Sequence, residues 1–200
     1  GATNWHDNTI RYCISENDGN VSAAHANVYI WNSSYDSMQF KNLLFYNNTI
    51  YNNTGAAISY SIESDHANFN FYNNIFVAAN NLLSGKLVDD TFLANDWWSL
   101  QRGFNINGNY DFRDWAIKNN KEQLNGKITG INIAVDFKNA GRTTLTNTDQ
   151  LINFDSYKII SPTSMMQAAI DLNNLFNINT GKQDFNGIQA QKNCLGACNY

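Results

Sequence analysis

Phe45-Tyr46-Asn47-Asn48 returns later in the chain as Phe71-Tyr72-Asn73-Asn74, and an earlier version reads Arg11-Tyr12-Cys13-Ile14. Each copy leads into an apolar residue and then a further asparagine, at Asn17, Asn53 and Asn80. Short strand-like segments that recur every few dozen residues, each closed by a polar turn, are the one-dimensional signature of a stacked repeat. Around these lines, Leu43, Phe45 and Asn47 alternate as Phe69, Phe71 and Asn73 do, with the period of two that strands require. Three units follow one plan. The first pairs segments 8–15 and 27–31, the second 39–51 and 57–62, and the third 68–77 and 82–83. Stacking them places Phe45 on Phe71 and Asn48 beside Asn74. An asparagine at the same corner of successive coils can then satisfy the backbone of its neighbour. Cys13 falls at that corner in the first unit, where a buried, inert thiol is expected.

The composition agrees with such a fold. Asparagine accounts for 35 of 200 residues, proline for one. Asparagine tolerates left-handed backbone and bonds its own main chain, which suits many tight turns. With 43% apolar and 14% aromatic residues the chain can build a core of one domain. A formal charge of −4 and a pI near 5.2 argue against nucleic acid as a partner, because phosphate binding needs a basic stripe. No apolar run approaches the roughly 20 residues of a membrane span. Of the three cysteines, Cys194 and Cys198 are close enough in sequence to bridge a terminal turn. Such a bridge would indicate an oxidising compartment.

From Lys86 the repeat loosens. Residues 86–102 read as an inserted loop carrying Asp96-Trp97-Trp98, and 104–110 as one further strand. Residues 112–124 read as a short surface helix. From about 111 to 200 the pattern is that of an irregular cap closing the open end of the stack, with short helical pieces such as 165–175.

These lines resemble the right-handed parallel β-helix proteins of the pectate-lyase-like kind, in particular a bacterial extracellular group with a long C-terminal cap. The stretch from Arg11 to Gly19 is similar to one of that group's coils, with Cys13 where asparagine is usual. Asn47-Asn48-Thr49-Ile50 and Asn73-Asn74-Ile75-Phe76 resemble others. So do Gly108-Asn109-Tyr110 with Trp115, Gly130-Ile131 with Asp136-Phe137, Ser161-Pro162, Asp184 with Gly187, and the closing Leu195-Gly196-Ala197. The resemblance implies an all-β fold, a right-handed parallel β-helix with an irregular C-terminal cap. Regular coils would run from about 8 to 110, in what would be the C-terminal part of a longer parent. It also implies a secreted or cell-surface protein that handles polysaccharide, as a glycoside hydrolase or polysaccharide lyase. The same architecture serves non-catalytic adhesive and glycan-binding modules, and purely structural stalks.

Hydrolysis of a glycan needs two carboxyl groups, one to protonate the leaving oxygen and one to attack or activate water. Elimination needs a base beside a cation such as calcium. The densest titratable cluster in the regular half is Glu63-Ser64-Asp65-His66. Glu63 and Asp65 would share a strand face, and like charge would raise one pKa toward that of a general acid, with His66 alongside. A solvated turn is the alternative. Glu16 and Asp18 form the equivalent turn one coil earlier, where oxygen ligands could hold calcium, although an Asx turn accounts for the same residues. His25 reads as structural. Arg11, Tyr46 and Tyr72 occupy matching outward positions and would form a platform for sugar rings, or else ordinary cross-strand packing. Trp97 and Trp98 would overhang that platform as a lid, or plug the side of the stack. With 13 basic against 17 acidic residues, a neutral glycan is favoured over an acidic one.

Overall fold

The computed structural model describes residues 5–19, 25–32, 40–61, 65–87, 89–142, 144–191 and 194–198. The chain is predominantly β, and each of its first three turns lays one strand in each of three sheets. The first turn gives β1 (Trp5–Arg11), β2 (Ile14–Glu16) and β3 (Val28–Ile30). The second gives β4 (Phe40–Tyr46), β5 (Thr49–Asn52) and β6 (Ile58–Tyr60), and the third β7 (Ala67–Tyr72), β8 (Ile75–Ala78) and β9 (Leu83–Ser84). Two more strands, β10 (Asp90–Leu93) and β11 (Asp96–Ser99), complete the set. The sheets run β1-β4-β7-β10, β2-β5-β8-β11 and β3-β6-β9, and every pairing within them is parallel.

Residues 86–102 are therefore not an inserted loop. Asp90 pairs with Phe69 and Asp96 with Ile75, so this segment is a fourth turn of the stack. The sequence hid it because Ala94 stands where the other turns carry Asn47 and Asn73. All three are left-handed, with φ of 56°, 51° and 52°, and alanine does not advertise that conformation.

Inward side chains form one column of aromatic contacts. The Phe45 and Phe71 rings lie 5.5 Å apart, Phe71 and Phe92 4.7 Å, and Phe76 and Trp97 4.6 Å. Helix α1 (Phe112–Asn119) starts at Asp111, whose side chain accepts the Asp114 N–H, and stops at left-handed Asn120. It buries Trp115 and Ala116 against the end of this column, with the Trp115 ring 5.6 Å from Trp97. The expected surface helix is thus a plug as well.

Beside the aromatic column runs an amide ladder. Asn48 Oδ1 accepts the Cys13 N–H at 2.9 Å, Asn74 Oδ1 the Asn48 N–H at 2.9 Å, and Asn95 Oδ1 the Asn74 N–H at 2.9 Å. Each amide NH2 donates to the next rung and back to a carbonyl of the preceding turn: Asn48 to Ile10, Asn74 to Phe45, Asn95 to Phe71. The ladder ends on Glu122. Its carboxyl accepts the Asn95 N–H at 3.1 Å, the Asn95 amide at 2.7 Å and the Trp97 indole N–H at 2.8 Å. Gly130 makes room, since a Cβ there would sit 2.5 Å from a Glu122 oxygen. A second, exposed ladder runs along the first sheet. Asn68 donates to Asn42 at 2.9 Å and Asn42 to Asp7 at 2.7 Å, all three residues being left-handed and skipped by the strand register.

Two expectations about cysteine change. Cys13 holds its corner position yet its thiol is exposed, donating only to the Arg11 carbonyl at 3.3 Å. Cys194 and Cys198 are separate buried thiols, so they carry no inference about compartment. Burial, with Asp184 nearby, pushes the Cys198 thiol up to about 12.

Beyond α1 the chain wraps the stack in short pieces, including α2 (Thr163–Ala168) and α3 (Leu172–Phe176). It docks at the left-handed corners. Asn47 donates to the Cys194 carbonyl, Asn73 to the Ile170 carbonyl at 2.9 Å, and Gly196 N–H to the Asn73 carbonyl at 2.9 Å.

Two outcomes test the ladder. Asn74→Leu strands the buried Asn48 N–H and the Phe45 carbonyl, and at roughly 1–3 kcal/mol per orphaned group it should cost at least about 2 kcal/mol in urea unfolding. Asn53→Ala, at an exposed turn, should stay within about 0.5 kcal/mol. The second outcome concerns pH. Burial raises the Glu122 carboxyl to about 7 against 4.5 for an open glutamate, and Asp96 moves the same way for the same reason. Between those values the native state binds more protons than the unfolded chain, so stability falls as pH rises from about 4.5 to about 7. The urea midpoint should be higher at pH 5 than at pH 8, and Glu122→Gln should flatten that slope.

Candidate functional site

Of the cluster singled out in the sequence, the structure describes Asp65 and His66. Glu63 lies outside the described residues. Asp65 is half-buried, and its carbonyl accepts the Asn32 amide at 2.6 Å. His66 is buried, with Nε2 2.9 Å from Asp90 Oδ1 and its ring stacked 5.6 Å from that of Tyr60. It fastens the corner between the first and third sheets instead of capping a solvated turn. Glu16 and Asp18 are not brought to the level of Asp65. Glu16 pairs in register with Tyr51 and accepts the Tyr157 hydroxyl at 2.6 Å, while Asp18 accepts the Ser15 hydroxyl at 2.5 Å. Among the described residues no three His, Cys, Asp or Glu side chains gather to hold a metal ion.

The platform expected of Arg11, Tyr46 and Tyr72 is aligned, but the cap packs on its two tyrosines and leaves Arg11 exposed. The three strands are in register, Arg11 beside Tyr46 beside Tyr72. Leu172 and the partly buried Ile170 and Ile178 pack on the two tyrosines, and the Phe176 ring stacks on Tyr72 at 5.1 Å and 10°. Both tyrosines are buried, which pushes the Tyr72 hydroxyl up to about 12. Trp97 is no lid, since it is fully buried with its N–H on Glu122. Its neighbour Trp98 points the other way, as strand alternation demands.

That alternation creates the open groove. On the outer face of the second sheet Tyr51, Val77 and Trp98 stand in one register column across β5, β8 and β11. Two strand spacings separate the aromatic residues, about 10 Å. Segment 131–142 forms the wall. It is hung on the stack by Asp96, whose carboxylate accepts the Ile133 N–H at 3.0 Å, and by Asn132, which donates to the Gly103 carbonyl at 2.8 Å. A second layer braces it: the Ile160 N–H reaches the Asp136 carbonyl at 2.8 Å, the Asn139 N–H the Ser156 carbonyl at 2.9 Å, and Lys138 pairs with Asp155. Gly141, left-handed at φ 72°, lies so close over Tyr51 that a Cβ would fall 2.7 Å from the ring. The resulting groove has a volume of about 320 Å3, with Tyr51 and Trp98 on its floor and Asp136, Lys138 and Arg142 on its rim. Burial raises the Tyr51 pKa, the Glu16 carboxylate adds to this, and Arg142 opposes it. An amphipathic ring can lie on such a floor while rim groups take its hydroxyls.

Of this set the sequence reading named Trp98 only. Tyr51 was within reach, because counting outward positions from Asn48 gives Thr49 and then Tyr51. Asp136 stood out only as part of a fold motif, and Lys138 and Arg142 sit in a wall with no repeat where nothing local marks them. No helix among the described residues is long and apolar enough to cross a membrane. Compared with protein-family models, with curated proteins and with solved structures, the chain matches none.

Proposed function

We propose that the chain is a capped, right-handed parallel β-helix of the pectate-lyase-like kind, secreted or displayed on a cell surface, that binds polysaccharide. The glycan lies in the groove over the second sheet. The observation that carries this reading is the register column of Tyr51, Val77 and Trp98 under a polar rim. Two aromatic faces about 10 Å apart suit successive sugar rings of one chain, with Asp136, Lys138 and Arg142 as hydroxyl partners. The rim carries both signs of charge, which fits a neutral glycan.

Binding is favoured over cleavage on chemical grounds. A hydrolase sets two carboxyl groups on opposite sides of the scissile bond, and Asp136 is the one carboxylate among the described residues lining this groove. The enzymatic alternative, a glycoside hydrolase or lyase using Glu63, Asp65 and His66, would need His66 to leave its bond with Asp90.

The test is a panel of neutral and acidic polysaccharides, scored for retention in affinity electrophoresis and for new reducing ends or unsaturated uronate. Retention without products is expected. Trp98→Ala and Tyr51→Ala should each weaken it about 5- to 10-fold, in line with roughly 1 kcal/mol for an aromatic contact. Products that vanish in Asp65→Asn would establish the enzyme instead. Folded protein that retains no polysaccharide would end both readings.

A further inference from the structure

A larger groove, about 730 Å3, lies on a different face, between the outer side of the first sheet and residues 176–179. Thr9, Arg11, Leu44 and Tyr46 form its sheet side, and Phe176 and Ile178 supply apolar surface from the cap. The arginine is unusual in its company. None of the ion pairs among the described residues includes Arg11, and the residues lining the groove contain no carboxylate. In a chain with a net charge of −4, an exposed arginine with no acidic partner among the described residues calls for an explanation.

Arg11 is also held in place. Its Nη1 donates to the Tyr46 hydroxyl at 3.2 Å and to the Asn179 carbonyl at 3.0 Å. Both acceptors are neutral, so the positive charge stays uncompensated while one end of the guanidinium is fixed. A guanidinium has five N–H donors, and Nη1 owns two of them. The remaining three, on Nε and Nη2, form the edge that meets a carboxylate or sulfate with two parallel hydrogen bonds. Gly181, left-handed at φ 83°, lies flat against the group, and a Cβ there would stand 3.0 Å from Nη1 and 3.1 Å from Nη2. The anchoring removes much of the entropy that a free arginine side chain would lose on binding.

The apolar side of the groove says what should carry the anion. Phe176 spends one ring face on Tyr72, yet the residue remains 38% exposed. Together with Leu44 and Ile178 it offers a surface that a bare inorganic ion would not use. We propose that this groove is a second binding site, for a sugar unit bearing a carboxylate or sulfate, with Arg11 taking the anionic group through its Nε/Nη2 edge and Phe176 taking the ring. The site stands apart from the neutral-glycan groove and does not depend on it.

The experiment titrates the full chain with glucuronate, glucose 6-sulfate, glucose and inorganic sulfate, following the Nε–H signal of Arg11 by NMR. That signal is assigned by its loss in Arg11→Gln. The two anionic sugars should shift it, glucose should not, and binding should weaken as salt rises. Ligand-observed titration of Arg11→Gln should show at least about tenfold weaker binding of the anionic sugars, with Arg11→Lys intermediate because a point charge replaces the fork. Arg11 is exposed, so an unchanged thermal midpoint should confirm that the variants fold. Equal response to glucose, equal response to bare sulfate, or full affinity in Arg11→Gln would overturn the proposal. Trp98→Ala should leave these titrations unchanged. A protein that takes the anionic sugars but no polysaccharide would therefore sink the earlier reading and leave this one standing.

Discussion

A line of stacked amides has a direction, and the structure is organised around that fact. Asn74, the rung between two others, gives two side-chain N–H groups and takes two N–H groups on its oxygen, so it is fully satisfied. The last rung has no further asparagine to receive its donors. A carboxyl group solves this with two acceptor oxygens, and Glu122 takes the backbone and side-chain N–H of Asn95 together with the Trp97 indole. The exposed ladder points the opposite way and also ends on an acid, Asp7. The Asn42 bond and the adjacent His6 hold its carboxyl below the usual range, whereas burial drives Glu122 upward. The same bonding role thus comes with opposite shifts in pKa, decided by water.

The corner that carries the ladder also places the cap. The left-handed residues at positions 47 and 73 turn their side-chain amides outward, where the cap finds them, and the Gly196 N–H also reaches the Asn73 carbonyl. Covering those corners hides Tyr46 and Tyr72 and leaves the outer column of the second sheet open beside segment 131–142. Asp96 links the two demands. One oxygen hangs the groove wall on the stack through Ile133, and the other has no hydrogen-bond partner among the described residues. Burial raises its pKa, and the backbone hydrogen bonds from Ile133 and Trp97 oppose that shift.

The repeat was legible where a residue type betrays its backbone. Asn47-Asn48 and Asn73-Asn74 announced a left-handed corner followed by a rung, and both Phe45 on Phe71 and Asn48 on Asn74 are found. The fourth turn was not legible, because Ala94 adopts the same corner with nothing in its chemistry to show it. The site was legible only in part for a similar reason. Alternation tells which residues face outward, but it cannot tell which outward faces the cap will cover. Tyr46 and Tyr51 look alike in the sequence, and only residues 170–179 and 131–142 separate their fates. His66 misled because clustered charge in sequence suggests exposure, while its partner Asp90 arrives from the next turn.

The acid at the end of the amide line constrains how such a protein can lengthen over generations. A rung that both gives and receives can be copied, and the copy fits between its parents without altering any bond they make. Glu122 cannot be copied in this way, since a following amide would face a group with nothing to donate when ionised. A duplicated turn is therefore accepted between the turns of Asn48 and Asn95 but not between Asn95 and Glu122.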